Sequence, residues 1–460
     1  MISAMLLRAP RALRCTYRHA SSRLVLALAA MLALASVATH SPAQQATSVD
    51  IGRVRPGSVS VTTLGIPLFR PKTQRDAVLA AGLFREGIYR AVEPTGYFRR
   101  PANMAAVDAA VDPWNQSQRR DFSGFRRTGS EVVVIGLYEV VNGQVTADVL
   151  VYDVATATRI FGNRYAAPQA DVQLISRRIA DDLLRYIAME QGVSDSLVAF
   201  VSDRSGYKEV WLMKADGSNQ QQFTNERSLV TAPTFGARGT EIYFTSYRQF
   251  NPDLYGMRLD RSNSWMISAQ PGGNFSPAWH EANQRLAAVL MKDGNSEIYM
   301  MDRSGGGRQR LTNHRAIDAS PVWSPDGSRI AFTSQRAGSP QIFVMNANGS
   351  GVQRLTFQGN YNTEPAWSPD GTRIAYVSRI RGVQQIMVMD VATRTPTQLT
   401  NQGNNEDPTW APNGQYLAFS SNRTGRWQIY RMRADGSQQV QLTSQGNNIS
   451  PSWGPVATAP

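Results

Sequence analysis

The sequence predicts a mainly β protein, a six-bladed β-propeller of four-stranded blades preceded by a small α/β domain. Three observations carry this. A Pro-x-aromatic pair recurs at Pro233/Phe235, Pro277/Trp279, Pro321/Trp323, Pro365/Trp367, Pro408/Trp410 and Pro451/Trp453, with successive prolines 44, 44, 44, 43 and 43 residues apart. A period in the low forties that holds several short β-rich runs marks a propeller, one blade per repeat. The array is also out of phase with itself: it opens at Leu197 on a second strand and stops at Trp453 after a first strand. The last run is therefore expected to supply the inner strand of the first blade, which removes the free sheet edge that invites aggregation.

Within each repeat the proline opens the inner strand, where a missing N–H is tolerated. Ser324-Pro325-Asp326-Gly327 and Ser368-Pro369-Asp370-Gly371, with Ala411-Pro412-Asn413-Gly414 as a variant, are turns into the second strand. Proline presets φ there and glycine accepts a left-handed conformation. Second strands read 197–201, 241–245, 285–289, 329–333, 373–377 and 416–420; third strands include 210–213, 298–301, 342–345, 386–389 and 429–432. Such nearly continuous apolar runs fit sheets covered on both faces. Turns at Asp216, Asn348 and Asp435 lead to outer strands ending at Phe223, Ile267, Leu311, Leu355, Leu399 and Leu442. The six aromatics at equivalent positions are expected to pack between blades rather than to cage a ligand.

Residues 1–43 read as a secretory leader: Arg8, Arg11, Arg14, Arg18 and Arg23, an apolar run from Leu24 to Ala38, and small residues at Ser36/Ala38 and Ser41/Ala43. Cleavage is expected after Ala43, with Ala38 the alternative. The competing reading is a membrane anchor, for which the run of about fifteen residues is short of the roughly twenty a span needs. Residues 44–58 form a polar, flexible arm. An α/β domain is expected over 59–195: a strand over Val59–Phe69, a helix over Ala77–Val92, a partly helical connection over 113–128, and a hairpin of 131–141 with 144–154 about Asn142-Gly143. A helix from Val172 to Ile187 closed by Gly192 completes it. The propeller covers 196–455, and 456–460 are a tail.

The lone Cys15 lies in the leader, so a mature chain rests on its cores alone, and the simple Arg-rich leader suits export into a bacterial envelope. Loss of five arginines lowers the net charge from +13 to +8. The excess is spread along the chain, which argues against nucleic acid. No phosphate loop, dinucleotide fingerprint or Gly-x-Ser-x-Gly elbow is present, and Gly305-Gly306-Gly307 is a turn after a third strand. Only His280 and His314 lie beyond the leader, each alone in a loop, so a His-based metal cluster is not expected and neither is an enzyme.

Loops that lead into the inner strands converge on one end of the axial channel. Just before each proline stands a polar residue, Ser276, Ser320, Glu364, Asp407 or Ser450, preceded by Asn274, Asp318, Asn362, Asn405 or Asn448; Ala232 is the exception. Such a ring suits gripping a protruding loop or helix, or a structural cation near Asp318, Glu364 and Asp407. Ordinary turn chemistry explains any single one equally well.

The combination of exported leader, small α/β domain ending in the 174–192 helix, the run Leu197-Val198-Ala199-Phe200-Val201-Ser202-Asp203, and repeats such as Pro321-Val322-Trp323-Ser324-Pro325-Asp326-Gly327 with Arg354-Leu355-Thr356 resembles the TolB family of the Tol-Pal envelope system. The resemblance implies a non-enzymatic periplasmic scaffold without cofactor, serving outer-membrane integrity and constriction at division. It implies two partners, with other outer-membrane lipoproteins as further candidates. The peptidoglycan-associated lipoprotein Pal would bind the ten channel-mouth residues just named. TolA would bind the arm Val49, Asp50, Ile51, Gly52, Arg53, Val54, Arg55 and Pro56. The segment from Gly57 to Leu64 departs from the pattern expected after that arm. A carbohydrate-binding propeller or polysaccharide lyase is the alternative, with a sugar in the channel.

Overall fold

The computed structural model describes residues 61–110 and 121–456. The leader, the arm, Trp114 and residues 457–460 lie outside them. No helix among the described residues is long and apolar enough to cross a membrane.

The α/β domain is built on a sheet ordered Phe98–Arg99, Thr62–Gly65, Val132–Val141, Gln144–Asp153, Arg159–Pro168, with Arg70–Pro71 also paired to Val132–Val141. Thr62–Gly65 runs parallel to both its neighbours, and the last three strands form an antiparallel meander. Asn142 (φ 49°) and Gly143 (φ 75°) make the two-residue turn of its hairpin with consecutive left-handed residues, as that turn requires. Helices α1 (Leu83–Val92) and α4 (Gln173–Leu183) cover one face, burying Ile88, Tyr89, Ile175, Ile179 and Leu183 against Leu64 and Val134. The short α2 (Met104–Ala109) and α3 (Ser123–Arg127) serve the other, where Val107, Phe122 and Phe125 meet Val133 and Tyr152.

Four features differ from the sequence reading. The strand expected over Val59–Phe69 spans Thr62–Gly65 among the described residues and stops before Pro67, which has no N–H to give a sheet. Helix α1 starts at Leu83, because Gly82 has φ 82° and cannot continue a right-handed helix. The strand Arg159–Pro168 was not expected; Asn163 and Arg164 interrupt its apolar alternation. The last helix passes through a π turn at Leu184–Ala188 and ends at left-handed Met189, before Gly192. Gly192 is required for another reason, since a Cβ there would stand 2.1 Å from the Asp181 carboxylate.

Six four-stranded sheets follow. Blades 2 to 6 are read in chain order from inner strands Val230–Gly236, Asn274–His280, Asp318–Trp323, Asn362–Trp367 and Asn405–Trp410. Blade 1 takes Leu197–Ser202, Glu209–Lys214 and Gln221–Gln222 from the start of the array and Asn448–Trp453 from its end, paired antiparallel with Trp453 opposite Val198. The chain thus closes the ring as its phase predicts. The tryptophans lie between blades: Trp410 is buried with Ala375 and Ile386 of blade 5 and donates from Nε1 to Ala366 O at 3.0 Å. Trp323 does the same to Ala278 O of blade 3 at 3.1 Å.

Inner strands begin at one end of the channel, here called the mouth, and run to the other, the base. The α/β domain meets the base of blades 6 and 1. Arg433 donates to Thr95 O and Tyr97 Oη, both at 2.8 Å, and pairs with Glu190, which also accepts from the Tyr97 hydroxyl. Asn413 donates to Gln191 O, and the linker carboxylate Asp195 takes both Arg177 of α4 and Lys214 of blade 1. Because Trp453 is buried and donates to Ser196 Oγ at 2.7 Å, it joins the closing strand to the linker. Trp453→Ala should cost about 3–5 kcal/mol in denaturant unfolding. Trp453→Phe should cost less, about 0.5–1.5 kcal/mol, the loss of one hydrogen bond, since the Ser196 hydroxyl keeps its own bond to Val193 O.

Candidate functional site at the channel mouth

Every inner strand carries a bulge at the residue before its proline. The register slips there in all six blades, and Ala232, Ser276, Ser320, Glu364, Asp407 and Ser450 have φ between 49° and 54°. A left-handed conformation costs a non-glycine residue about 1–2 kcal/mol, and strain of this kind gathers where function needs a fixed geometry. These six residues with the prolines that follow ring a cavity of about 240 Å³ on the channel axis. Ala232 departs from the pattern only in its side chain; its backbone makes the same bulge.

The ring is uneven. Around blades 4 to 1 each bulge N–H is received by the blade before it: Glu364 N donates to Thr333 Oγ1 at 3.2 Å, Asp407 N to Glu364 Oε2 at 2.8 Å and Ser450 N to Asp407 Oδ2 at 2.9 Å. Asp407 Oδ2 also accepts from the hydroxyls of Ser420 (3.0 Å) and Ser450 (3.3 Å). Burial raises the pKa of both carboxyls, and the Asp407 charge raises that of Glu364 further. With three donors on Asp407, two hydroxyls and a backbone N–H, against one backbone N–H on Glu364, the charge belongs on Asp407 and the proton on Glu364.

The five residues two positions earlier are not brought to this ring. Asn274, Asp318, Asn362, Asn405 and Asn448 have no solvent exposure and join neighbouring blades. Asn448 of blade 1 accepts from Arg204 of its own blade at 2.8 Å and donates to Gln428 Oε1 of blade 6 at 2.8 Å. Gln428 in turn accepts from Thr443, whose hydroxyl receives Ile429 N. Asn405 repeats this with Arg423 and with Gln385 of blade 5, Asn362 bonds Gln341 of blade 4, and Asn274 bonds Asp253 of blade 2. Asp318 pairs with Arg336 at 2.8 Å, away from Glu364 and Asp407. Among the described residues no group of three or more His, Cys, Asp or Glu side chains is placed to hold a metal ion. The physical reason is the bulge. Residues 274 and 276 would share one face of a regular strand, and the inserted residue turns them apart.

Comparison with known proteins decides the family. A family model described as the TolB beta propeller domain matches residues 185–457. The chain belongs to the TolB family. Curated relatives named Tol-Pal system protein TolB include that of Syntrophotalea carbinolica, 34% identical over 218 residues and covering 47% of each chain. That of Desulfosudis oleivorans is 33% identical over 250 residues, covering 54% of this chain and 57% of the relative. The chain thus spans about half the length of the curated relatives it matches. In fold it is similar to TolB from Acinetobacter baumannii, with a TM-score of 0.74 at 23% identity over 86% of this chain and 97% of that one.

The arm residues Val49 to Pro56 lie outside the described residues. What the sequence reading of this TolB-family chain missed is Glu406 and Trp427, half-buried residues beside the channel that break the repeat and meet in one slot. A column-by-column alignment of the six repeats would have found them.

The acid pair has a measurable consequence. A folded carboxyl whose pKa is raised holds a proton that the unfolded chain releases, so stability falls as pH rises from the ordinary carboxylate range through the raised value. Glu364→Gln keeps the shape without the proton. Thermal melts from about pH 4.5 to about pH 8 should therefore show a flatter profile for this variant than for the native chain, with the gap in its favour widening toward the alkaline end. Parallel profiles would contradict the assignment.

Proposed function

We propose that this chain is a non-enzymatic periplasmic scaffold of the Tol-Pal system that docks the lipoprotein Pal over the channel mouth and engages TolA through its N-terminal arm. One observation carries the reading: the mouth face is left free by the α/β domain, which packs on the base, and it bears exposed apolar side chains around the channel. Phe250 is fully exposed, and Phe357, Ile317, Leu229 and Met291 are exposed in neighbouring loops of the same face. Exposed apolar groups gathered about a polar cavity suit a protein partner whose protruding segment enters the channel. Ser276, Ser320, Glu364, Asp407 and Ser450 supply hydrogen-bonding groups at its lining. The buried Asn274, Asp318, Asn362, Asn405 and Asn448 contribute by holding the bulges in place.

Titration calorimetry of the mature chain with the soluble domain of Pal tests the first half. Phe250→Asp and Phe357→Asp together should weaken binding about tenfold or more while leaving the melting temperature unchanged. Binding that is absent, or indifferent to these changes and to Glu364→Ala and Asp407→Ala, would reject the mouth as the Pal site. Deletion of residues 44–56 should abolish TolA binding. A changed Pal affinity in the same deletion would show that the arm and the mouth are coupled, because linkage acts equally in both directions.

A further inference from the structure

The seam where the ring closes holds a second, smaller site. Between blades 6 and 1, on the mouth face beside the channel, lies a slot of about 340 Å³. Its walls are not what the repeat dictates. Trp427 stands where the other five blades carry Lys208, Pro252, Ser296, Pro340 and Gln384, a position just before the third strand in all but blade 5, whose third strand starts one residue earlier at Val383. Glu406 stands two residues before its proline, where the others carry Thr231, Phe275, Ala319, Thr363 and Ile449. The two departures converge in this one slot.

The third wall comes from the closure itself. At the backbone bridge between second strand and inner-strand loop, four blades pair mostly apolar or bulky residues: Tyr247 with Leu229, Met291 with Gly273, Gln335 with Ile317, and Arg379 with Tyr361. Blade 6 pairs the neutral Asn422 with Asn404, and blade 1 alone has a carboxylate there. Blade 1 has Asp203 with Asn447. Asn447 donates to both oxygens of Asp203, from its backbone N–H at 2.7 Å and its side-chain amide at 2.8 Å. The Asn447 backbone oxygen in turn accepts the Asp203 N–H, so the pair is fixed in place, with the side-chain amide oxygen of Asn447 and the remaining Asp203 lone pairs turned to other partners. Burial alone would raise the Asp203 carboxyl; the Asn447 hydrogen bonds and the Lys208 charge outweigh it and leave the group below the ordinary range. It is an ionised acceptor at neutral pH.

We infer that this slot binds a saccharide, with a pyranose ring laid on Trp427 and its hydroxyls held by Asp203, Asn447, Glu406 and Lys208. A sugar ring has one apolar C–H face and a rim of groups that both donate and accept. The slot offers an aromatic wall, an aliphatic floor of Val201 and Ile449, two carboxylates, an amide and an ammonium. Its volume lies near the lower end of small-ligand pockets, enough for a short oligosaccharide segment. A basic side chain of a partner peptide is the rival occupant, since carboxylates and an aromatic face also suit a cation. Lys208 in the same lining and the prior engagement of Asp203 by Asn447 favour the uncharged ligand.

The site stands apart from the channel, so it is tested apart from Pal. The full mature chain is titrated calorimetrically with the trisaccharide of β-1,4-linked N-acetylglucosamine, with maltotriose and with trilysine. At least one saccharide should bind saturably, and Trp427→Gln and Glu406→Thr should each weaken it about tenfold. Both substitutions install a residue that another blade carries at the same position, so melting temperature and Pal affinity should hold. No saturable binding of either saccharide, saccharide binding that survives both substitutions, or binding of trilysine alone with loss in Glu406→Thr would overturn the inference, the last in favour of a cationic peptide.

Discussion

What the whole ring depends on is a buried polar staple at the start of the inner strands. A propeller has no single core; each blade buries its faces only against its neighbours, so anything that lets adjacent blades slide exposes two apolar surfaces at once. Apolar packing between sheets is non-directional and fixes no register. The staple does. In blade 1 Asn448 ties Arg204 to Gln428 and Thr443 of the blade before, and the same arrangement recurs through Asn405 with Arg423, Gln385 and Thr400. Buried amides are costly unless they are bonded, and at Asn448 and Asn405 both the oxygen and the NH2 find partners, so these joints favour one relative placement of the blades. The arginines add packing: Arg204, Arg336 and Arg423 each lie over two aromatic rings of their own blade.

The bulge that follows is the consequence that matters for function. With the Asn or Asp side chain turned into the joint between blades, the residue two positions on must turn the other way, and it does so through a left-handed backbone immediately before a proline. In five blades the strain is held between the staple on one side and the proline on the other; in blade 2 the buried Val230 takes the staple position and the bulge at Ala232 forms as well. A ring of six such residues around a channel is therefore a by-product of closing the blades. Its side chains are free to differ, as Ala232, Glu364 and Ser450 do, without altering the scaffold.

This explains which parts were legible. The six blades and their closure could be read because a strand buried on both faces must be written as an apolar run and because the array begins and ends out of phase. The channel residues could be listed but not sorted. Asn274 and Ser276 are both small, polar and two apart, and nothing in their identities says that one is a joint and the other a lining. Only the register slip does. In the α/β domain the failures were of the same local kind. Gly82 reads equally as a weak helix residue or a left-handed stop, and the strand Arg159–Pro168 lacks alternation because its Arg164 pairs with Asp148 on the neighbouring strand while Tyr165 reaches Asp182 of the last helix.

The sixfold repeat also sets where novelty can be placed. Positions in the staple are constrained by two blades each, and the aromatic strand positions by the packing between blades. The loops of the mouth face are constrained by neither, and they carry the widest range of side chains, from Phe250 to Asp203. The seam differs from the other five joints in one further respect: its blade 1 side is itself assembled from opposite ends of the array, Asp203 from near the start and Asn447 from near the finish. A ligand seated there would bind only the closed ring, and so would stabilise closure itself by mass action. The base, meanwhile, is occupied near the same seam by Arg433, Tyr97 and Glu190, which fasten the α/β domain to blade 6. Blade 6 thus carries Asp407 of the acid pair and Glu406 and Trp427 of the slot at its mouth end while its base end grips the other domain.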